Sequence, residues 1–284
     1  MNTWRADAWL LRASAVLVGW ALAAACALAA APQPGAPALF LEEMTSTELR
    51  AQIANGVTTV LVPIGGTEQN GPHMVLGKHN VRVRALAGQI ARALGNTVVA
   101  PVLAYVPEGA VQPPQAHMRF AGTVSIPDAA FEATLEGIAR SMRLHGLRDI
   151  VFLGDHGGYQ KNEVRVATRL NREWARDGSA HVYALTEYYE VTQTDYVQWL
   201  KTQGFTLEQI GTHAGLADTA LALAVDPALV RADLLTGQTK FSQADGVYGD
   251  PRKATAEAGR AGLQMVVERS VKALRSAMRN RTNP

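Results

Sequence analysis

Apolar and polar positions follow two alternating periods along this chain. "TTVLVPIG" (Thr58 to Gly65) is a continuous, β-branched apolar run, the pattern of a strand buried on both faces. In "NVRVRALAGQIARALG" the apolar residues Val81, Leu86, Ile90 and Leu94 recur at helical spacing, and Gly95 supplies a C-terminal stop. "NTVVAPVLAYV" predicts a second strand. "PDAAFEATLEGIARSMRLHG" predicts a helix with Phe131, Leu135, Ile138 and Met142 on one face, bracketed by Asp128 and Gly146. "RDIVFLGDHGG" reads as a strand emptying into glycines, followed by a helix through "NEVRVATRLNREWARDG". A further strand, "AHVYALTEYY", and helices over "HAGLADTALALAVDP" and "EAGRAGLQMVVERSVKALRSAM" complete the series. Strands alternating with helices imply βαβ units, hence an α/β fold with a mostly parallel sheet covered on both faces. In such sheets ligands bind beyond the carboxyl ends of the strands. Two Gly-rich stretches, "GGTEQNGPH" and "GDHGGYQKN", follow predicted strands directly, which places Glu68 and His156 at the same sheet edge.

Residues 1–31 break this pattern. Arg5 and Arg12 precede the Ala-rich apolar run "ASAVLVGWALAAACALAAAPQPGAP", which has the form of a secretory signal peptide cleaved around Ala29 to Ala31. The expectation is an exported protein, periplasmic or secreted, with residues 32–284 as a single domain and no stable membrane insertion after cleavage. The sole cysteine, Cys26, lies inside the signal. With Ala23 where a larger aliphatic residue is usual, it is a poor lipoprotein acceptor. The mature chain therefore relies on neither disulfides nor thiolate chemistry. About 250 residues remain, enough for one sizeable core. The net charge of +2 falls by one with the signal, and no basic cluster is present, which excludes nucleic acid as the main partner.

The candidate chemistry sits in the Gly-rich loops. Glu68, His79 and His156 are the first choices for a metal shell, because zinc, manganese and iron(II) all accept imidazole with carboxylate. Asp155 is a further ligand or the carboxylate partner of an imidazole. His213 and Asp218, in "GTHAGLADTA", stand where a loop enters a helix and are candidate catalytic groups. His117, in "PPQAHMRFAGTVSIP", suits a pocket wall. Asn70, His73 and Tyr159 flank the ligand candidates as substrate-binding or supporting residues. The chain has no G-x-S-x-G elbow, no dinucleotide fingerprint and no phosphate-binding loop.

Taken in order, "PIGGTEQNGPHMVLGKH", "AHMRFAGTVSI", "GLRDIVFLGDHGGYQKN", "HAGLADTA" and "GVYGDPRKATAEAGRAG" resemble the creatininase (creatinine amidohydrolase) family. The resemblance implies a three-layer α/β/α sandwich, a homo-oligomer, and a metal-dependent hydrolase of C–N bonds with two bridged divalent ions. The family's first glutamate ligand is kept as Glu68 and its histidine as His156. Asn70 stands where a histidine ligand is usual, His79 where the bridging aspartate is usual, and Gly158 where creatininase has a glutamate ligand. Asp218 is one methylene shorter than the usual acid. Thr212 replaces the glutamate that precedes the histidine in creatininase. An imidazole cannot bridge two cations as a carboxylate does. The expected cofactor is therefore one divalent ion, zinc first and manganese or iron as alternatives, on Glu68, His79 and His156. The expected activity is hydrolysis of a non-peptide amide or cyclic amide by metal-activated water, with His213 as the acid for the leaving nitrogen. The competing reading is a catalytically inactive binding or accessory protein on the same fold.

Overall fold

A computed structural model of the chain describes residues 37–236 and 240–282, so the expected signal peptide and Cys26 lie outside the described residues. The described elements run in the order α1 (Ser46–Ala54), β1 (Thr59–Ile64), α2 (Lys78–Leu94), β2 (Thr97–Val99), α3 (Asp128–Leu144), β3 (Asp149–Gly154), α4 (Gln160–Trp174), β4 (His181–Ala184), α5 (Glu187–Gln193), α6 (Asp195–Thr202), α7 (Leu207–Ile210), α8 (Leu216–Val225), α9 (Ala232–Thr236) and α10 (Ala256–Thr282). The four strands form a parallel sheet in the order β2-β1-β3-β4.

Successive side chains of a strand point to opposite faces. Leu61, Val99, Val151 and Leu153 accordingly enter one core, shared with Leu86 and Ile90 of α2, Tyr188 of α5, Leu216 of α8 and Leu274 of α10. Val60, Val62, Ile150 and Phe152 enter the other, against Phe131 and Leu135 of α3 and Val166 and Leu170 of α4. Burial on both faces explains the unbroken apolar runs of β1 and β3. Among the described residues no helix is long and apolar enough to cross a membrane.

Two strands are shorter than the sequence pattern predicts. The Ala100 N–H still donates to the Leu61 carbonyl, but Pro101 has no N–H to offer the ladder. Beyond it the chain meets its neighbours only at isolated bridges, Ile64 with Leu103 and Val106 with Ser125. The apolar run after His181 leaves the sheet at Ala184, and Glu187, Tyr188 and Tyr189 belong to α5.

Candidate active site

From β1 the chain crosses to β2 on one side of the sheet, whereas β3 and β4 lie on the other. The crevice beyond β1 and β3 is thus the topological switch point, where open α/β sheets bind ligands. The loop after β1 delivers Glu68 there, and the end of β3 delivers Asp155 and His156. Tyr159 ties the two strand ends together: its buried hydroxyl donates to the Gly65 carbonyl (2.6 Å) and accepts from the Asp155 N–H (3.1 Å). The Asn70 side-chain amide donates to the Glu68 and Val75 carbonyls (2.9 and 3.0 Å), so it braces the loop. His73 is buried behind it, with Nε2 2.9 Å from the Thr219 hydroxyl.

Glu68 is fully buried and forms the hub. Its Oε1 accepts from His79 Nε2 (2.7 Å) and lies 3.7 Å from both Lys78 Nζ and His213 Nδ1. Its Oε2 makes no well-formed hydrogen bond among the described residues, with His117 Nε2 at 3.4 Å and His156 Nε2 at 3.7 Å. Burial alone would raise this carboxyl, yet the hydrogen bond and charge of His79, with Lys78 beyond, hold it well below the usual carboxylate range.

The first turn of α2 supplies three cations to three acids. His79 donates Nδ1–H to Asp155 (2.7 Å) as well as Nε2–H to Glu68. Burial and Lys78 oppose its charge, but these two bonds outweigh them and raise its pKa. Arg82 Nε donates to Asp155 (2.9 Å) and Nη1 to Asp218 (3.2 Å). The Lys78 ammonium donates to Asp218 at 2.9 Å, and the Tyr188 hydroxyl to Asp155 at 2.7 Å. Burial would raise the carboxyls of Asp155 and Asp218; Arg82 with His79 pulls the first down, and Lys78 with Arg82 the second.

His213 faces Glu68 from the far side. Its Nε2–H donates to the Gln69 backbone carbonyl (2.9 Å), which leaves the Nδ1 lone pair turned toward the centre. Burial and then the Lys78 charge push its pKa down to about 3, so the ring is neutral. His156 is likewise neutral, lowered to about 4 by burial, and burial also lowers His117. The next residue after His213, Ala214, takes φ 52°, a left-handed conformation that costs a non-glycine residue about 1–3 kcal/mol. It aims its N–H at Asp218 Oδ2 (3.0 Å) and so fixes the entry to α8. The Gln69 side-chain amide donates to His117 Nδ1 (3.0 Å), and its Oε1 accepts from the Gly71 N–H (3.0 Å). Lys78, His79, Arg82, His117, His156, His213 and Asp218 line a cavity of about 120 Å³, with Tyr189 and Thr192 of α5 in its wall.

A divalent cation fits one side of this hub. Glu68, His117 and His156 each offer one ligand atom, all within 4.8 Å of one another, around a buried carboxylate oxygen that makes no well-formed hydrogen bond among the described residues. The sequence puts His79 in that shell and His117 in the wall. In the structure His117 joins the group, whereas both nitrogens of His79 are engaged by carboxylates. Asp218 is the counter-ion of Lys78 and Arg82, not a group free to give a proton. A side chain at Gly158 would meet the His156 ring at 3.0 Å, so the ring would have to shift by a few tenths of an ångström to admit one. Sequence reasoning passes over Lys78 and Arg82, although their i, i+4 spacing with His79 between them puts them on one helical face. It also misses Gln69 and Glu108. Glu108 is buried beside Glu68 and 3.8 Å from His156 Nδ1; burial and the charge of Glu68 raise it to about 8.

The sequence profile described as "Creatininase: Creatinine amidohydrolase" matches residues 42–274. A mycofactocin precursor peptide peptidase of Mycolicibacterium smegmatis is 30% identical over 234 residues, 75% of this chain and 83% of the relative. A creatinine amidohydrolase of Pseudomonas putida is 26% identical over 261 residues, 87% and 98% of the two chains. Among solved structures, a mutant creatininase of Zn-Zn type superposes with a TM-score of 0.70 at 26% identity, covering 85% of this chain and 99% of the other. A manganese creatininase superposes with a TM-score of 0.69 at 26% identity, covering 84% and 98%. With the profile spanning most of the chain and the acid and histidines gathered at the switch point, this protein belongs to the creatininase family of metal-dependent amidohydrolases.

Proposed function

We propose that the protein hydrolyses the C–N bond of a small amide or cyclic amide outside the cytoplasm, using one divalent ion held by Glu68, His117 and His156. The observation that carries this reading is the buried Glu68 Oε2, which makes no well-formed hydrogen bond among the described residues and has His117 and His156 within ligand distance at the edge of a cavity. An ion of this kind supplies Lewis-acid polarisation of a carbonyl and a more acidic water at neutral pH. Zinc suits the donor set, with manganese or iron as alternatives. His79 and Lys78 keep Glu68 ionised and in place. His213 holds a free lone pair at Nδ1, so it accepts the proton released as water adds to the amide carbon. The same proton then passes to the leaving nitrogen as the C–N bond breaks. Sequence alone casts His213 as an acid; its neutral resting state makes it a base first and an acid second.

A creatinine amidohydrolase and a peptide peptidase among the relatives support an amide bond as the reacting group. Export rests on residues 1–31 and is tested by N-terminal sequencing of the protein recovered from the periplasm. The hydrolase reading is tested by elemental analysis of chelator-free protein and turnover on a panel of amides, for wild type and Glu68→Gln. Near one ion per chain with amide turnover is expected, both lost in the variant. Metal-free protein that still binds an amide after reconstitution would instead favour the inactive binding protein.

A further inference from the structure

Gln69 follows the hub carboxylate in sequence and is itself buried. Its side-chain amide lies between two glycines in the left-handed region, Gly71 (φ 67°) and Gly246 (φ 76°), and a side chain at Gly246 would collide with it. The orientation of an amide is read from its partners, because the oxygen only accepts and the nitrogen only donates. Here Oε1 accepts from the Gly71 N–H (3.0 Å) and Nε2 donates to the Gly246 carbonyl (3.2 Å). The second Nε2 hydrogen goes to His117 Nδ1 at 3.0 Å. A neutral imidazole that accepts at one nitrogen carries its hydrogen on the other. His117 therefore keeps that hydrogen on Nε2, the atom 3.4 Å from Glu68 Oε2. A metal ion needs a lone pair at the same atom. Turned end for end, the Gln69 amide would instead accept from His117 Nδ1–H. It would also accept from His213 Nε2–H, which lies 3.1 Å from that corner of the amide.

We propose that Gln69 is a two-position amide switch behind the metal site. In the orientation of this structure it holds His117 as a hydrogen-bond donor; reversed, it frees the His117 Nε2 lone pair for the ion. This rests on the reading above, in which His117 is a ligand of one divalent ion. Each orientation has its own pair of partners. The first satisfies two backbone groups, Gly71 N–H and Gly246 C=O, and the second satisfies two imidazoles. Binding an ion must break both backbone bonds, so the wild-type chain holds metal less tightly than one already reversed. Gln69 acts only through His117, which makes it a positioning residue. A carboxylate at this position would accept from both imidazoles and still from Gly71, leaving only the Gly246 carbonyl without its donor.

The test reads the ring hydrogen and the metal affinity separately. Long-range proton–nitrogen NMR spectra of metal-free protein, with the His117 signals assigned by their absence from His117→Gln, locate the hydrogen. It is expected on Nε2 in wild type and on Nδ1 in Gln69→Glu. Calorimetric titration with zinc chloride should give Gln69→Glu an affinity about 10–100-fold above wild type, the usual weight of a group behind a ligand. A carboxylate also adds charge, so the control is Gln69→Glu combined with His117→Gln, in which the gain should vanish. Gln69→Met, which removes the donor without adding charge, should show both tautomers and a smaller gain, and it serves if the glutamate variant does not fold. Hydrogen on Nδ1 in metal-free wild type overturns the inference, and the one-ion reading stands if zinc still binds. A gain that survives in the double variant, or weaker binding in both Gln69→Glu and Gln69→Met, also overturns it. Zinc bound by none of these proteins removes the one-ion reading, and this inference with it.

Discussion

Two clusters of three acids and three cations occupy this molecule, and they differ in almost nothing but their surroundings. One lies at the sheet edge, with Glu68, Asp155 and Asp218 against Lys78, His79 and Arg82. The other lies on the outer faces of α3 and α4, with Glu132, Glu136 and Glu173 against Arg140, Arg165 and Arg169. Distances are alike in the two. Burial is not: the cations of the first are 1–5% exposed and those of the second 42–51%. On the surface, water and salt screen each charge, and long side chains spend entropy to meet. At the sheet edge burial shields the cations from solvent, so each group fixes its neighbours. That rigidity holds Glu68 in one orientation, with one oxygen saturated and the other left for a ligand.

Removing one acid from the buried cluster should break this contrast most visibly. Asp155 accepts from His79, Arg82 and Tyr188 at once. Asp155→Asn leaves two buried cations short of an anion, a defect that costs about 3–5 kcal/mol. Urea denaturation at neutral pH should show a loss of that size. A loss no larger than that of a surface variant would mean that the cluster is hydrated in solution.

Much of this architecture is legible in the sequence, and the reason is periodicity. β1, β3, α2, α3 and α4 are readable because a strand buried on both faces and an amphipathic helix leave distinct repeats. The loops after β1 and β3 are readable as the site because topology alone sends ligands there. His117 stands beside Glu68 and His156 while His79 lies between two carboxylates, a placement set by side-chain direction, which spacing does not encode. His79 resembles a ligand from its position in the motif, yet Asp155 and Glu68 converge on it from two other segments. Lys78 and Arg82 carry no such signal, because a lysine and an arginine at the start of a helix ordinarily face solvent. Only the acids brought to them across the fold turn them inward.

A gentler probe of the buried cluster is pH. Burial lowers His73 and His156 to about 4 and His213 to about 3, and the Lys78 charge adds to each. A base whose folded pKa lies below its unfolded value binds fewer protons when folded. Its contribution is complete above the unfolded pKa near 6.5 and is lost as pH falls toward the folded value. Glu108, raised to about 8, acts in the opposite sense between its unfolded pKa and 8, and raised His79 does so above 6.5. Five lowered histidines, with His117 and His181 beside these three, outweigh the raised carboxyls of Glu108 and Glu163 between pH 4.5 and 6.5, so stability should fall as the solution is acidified across that window. His73 lies outside the proposed ligand set, so His73→Gln isolates one proton: the slope of unfolding free energy against pH should flatten by at most about 1.4 kcal/mol per pH unit. An unchanged slope would show that His73 titrates normally and that the Lys78 field does not reach it.

The smallest effect belongs to the surface cluster and completes the contrast. Arg169 reaches Glu136 at 2.9 Å and Glu132 at 3.7 Å, contacts as short as several at the sheet edge. Its side chain is 47% exposed, however, and both acids keep another arginine, Arg140 on Glu136 and Arg165 on Glu132. Arg169→Ala should therefore cost less than about 1 kcal/mol, and the cost should shrink further as salt is raised toward about 1 M. Measured beside Asp155→Asn in the same urea series, it separates contact distance from burial as the origin of the difference. If the two variants lost comparable stability, short distances would be what matters, and burial would not be what makes the active-site cluster rigid. If Arg169→Ala is nearly silent and salt-sensitive while Asp155→Asn is costly and salt-insensitive, the same charges have been shown to do different physical work because of where the sheet places them.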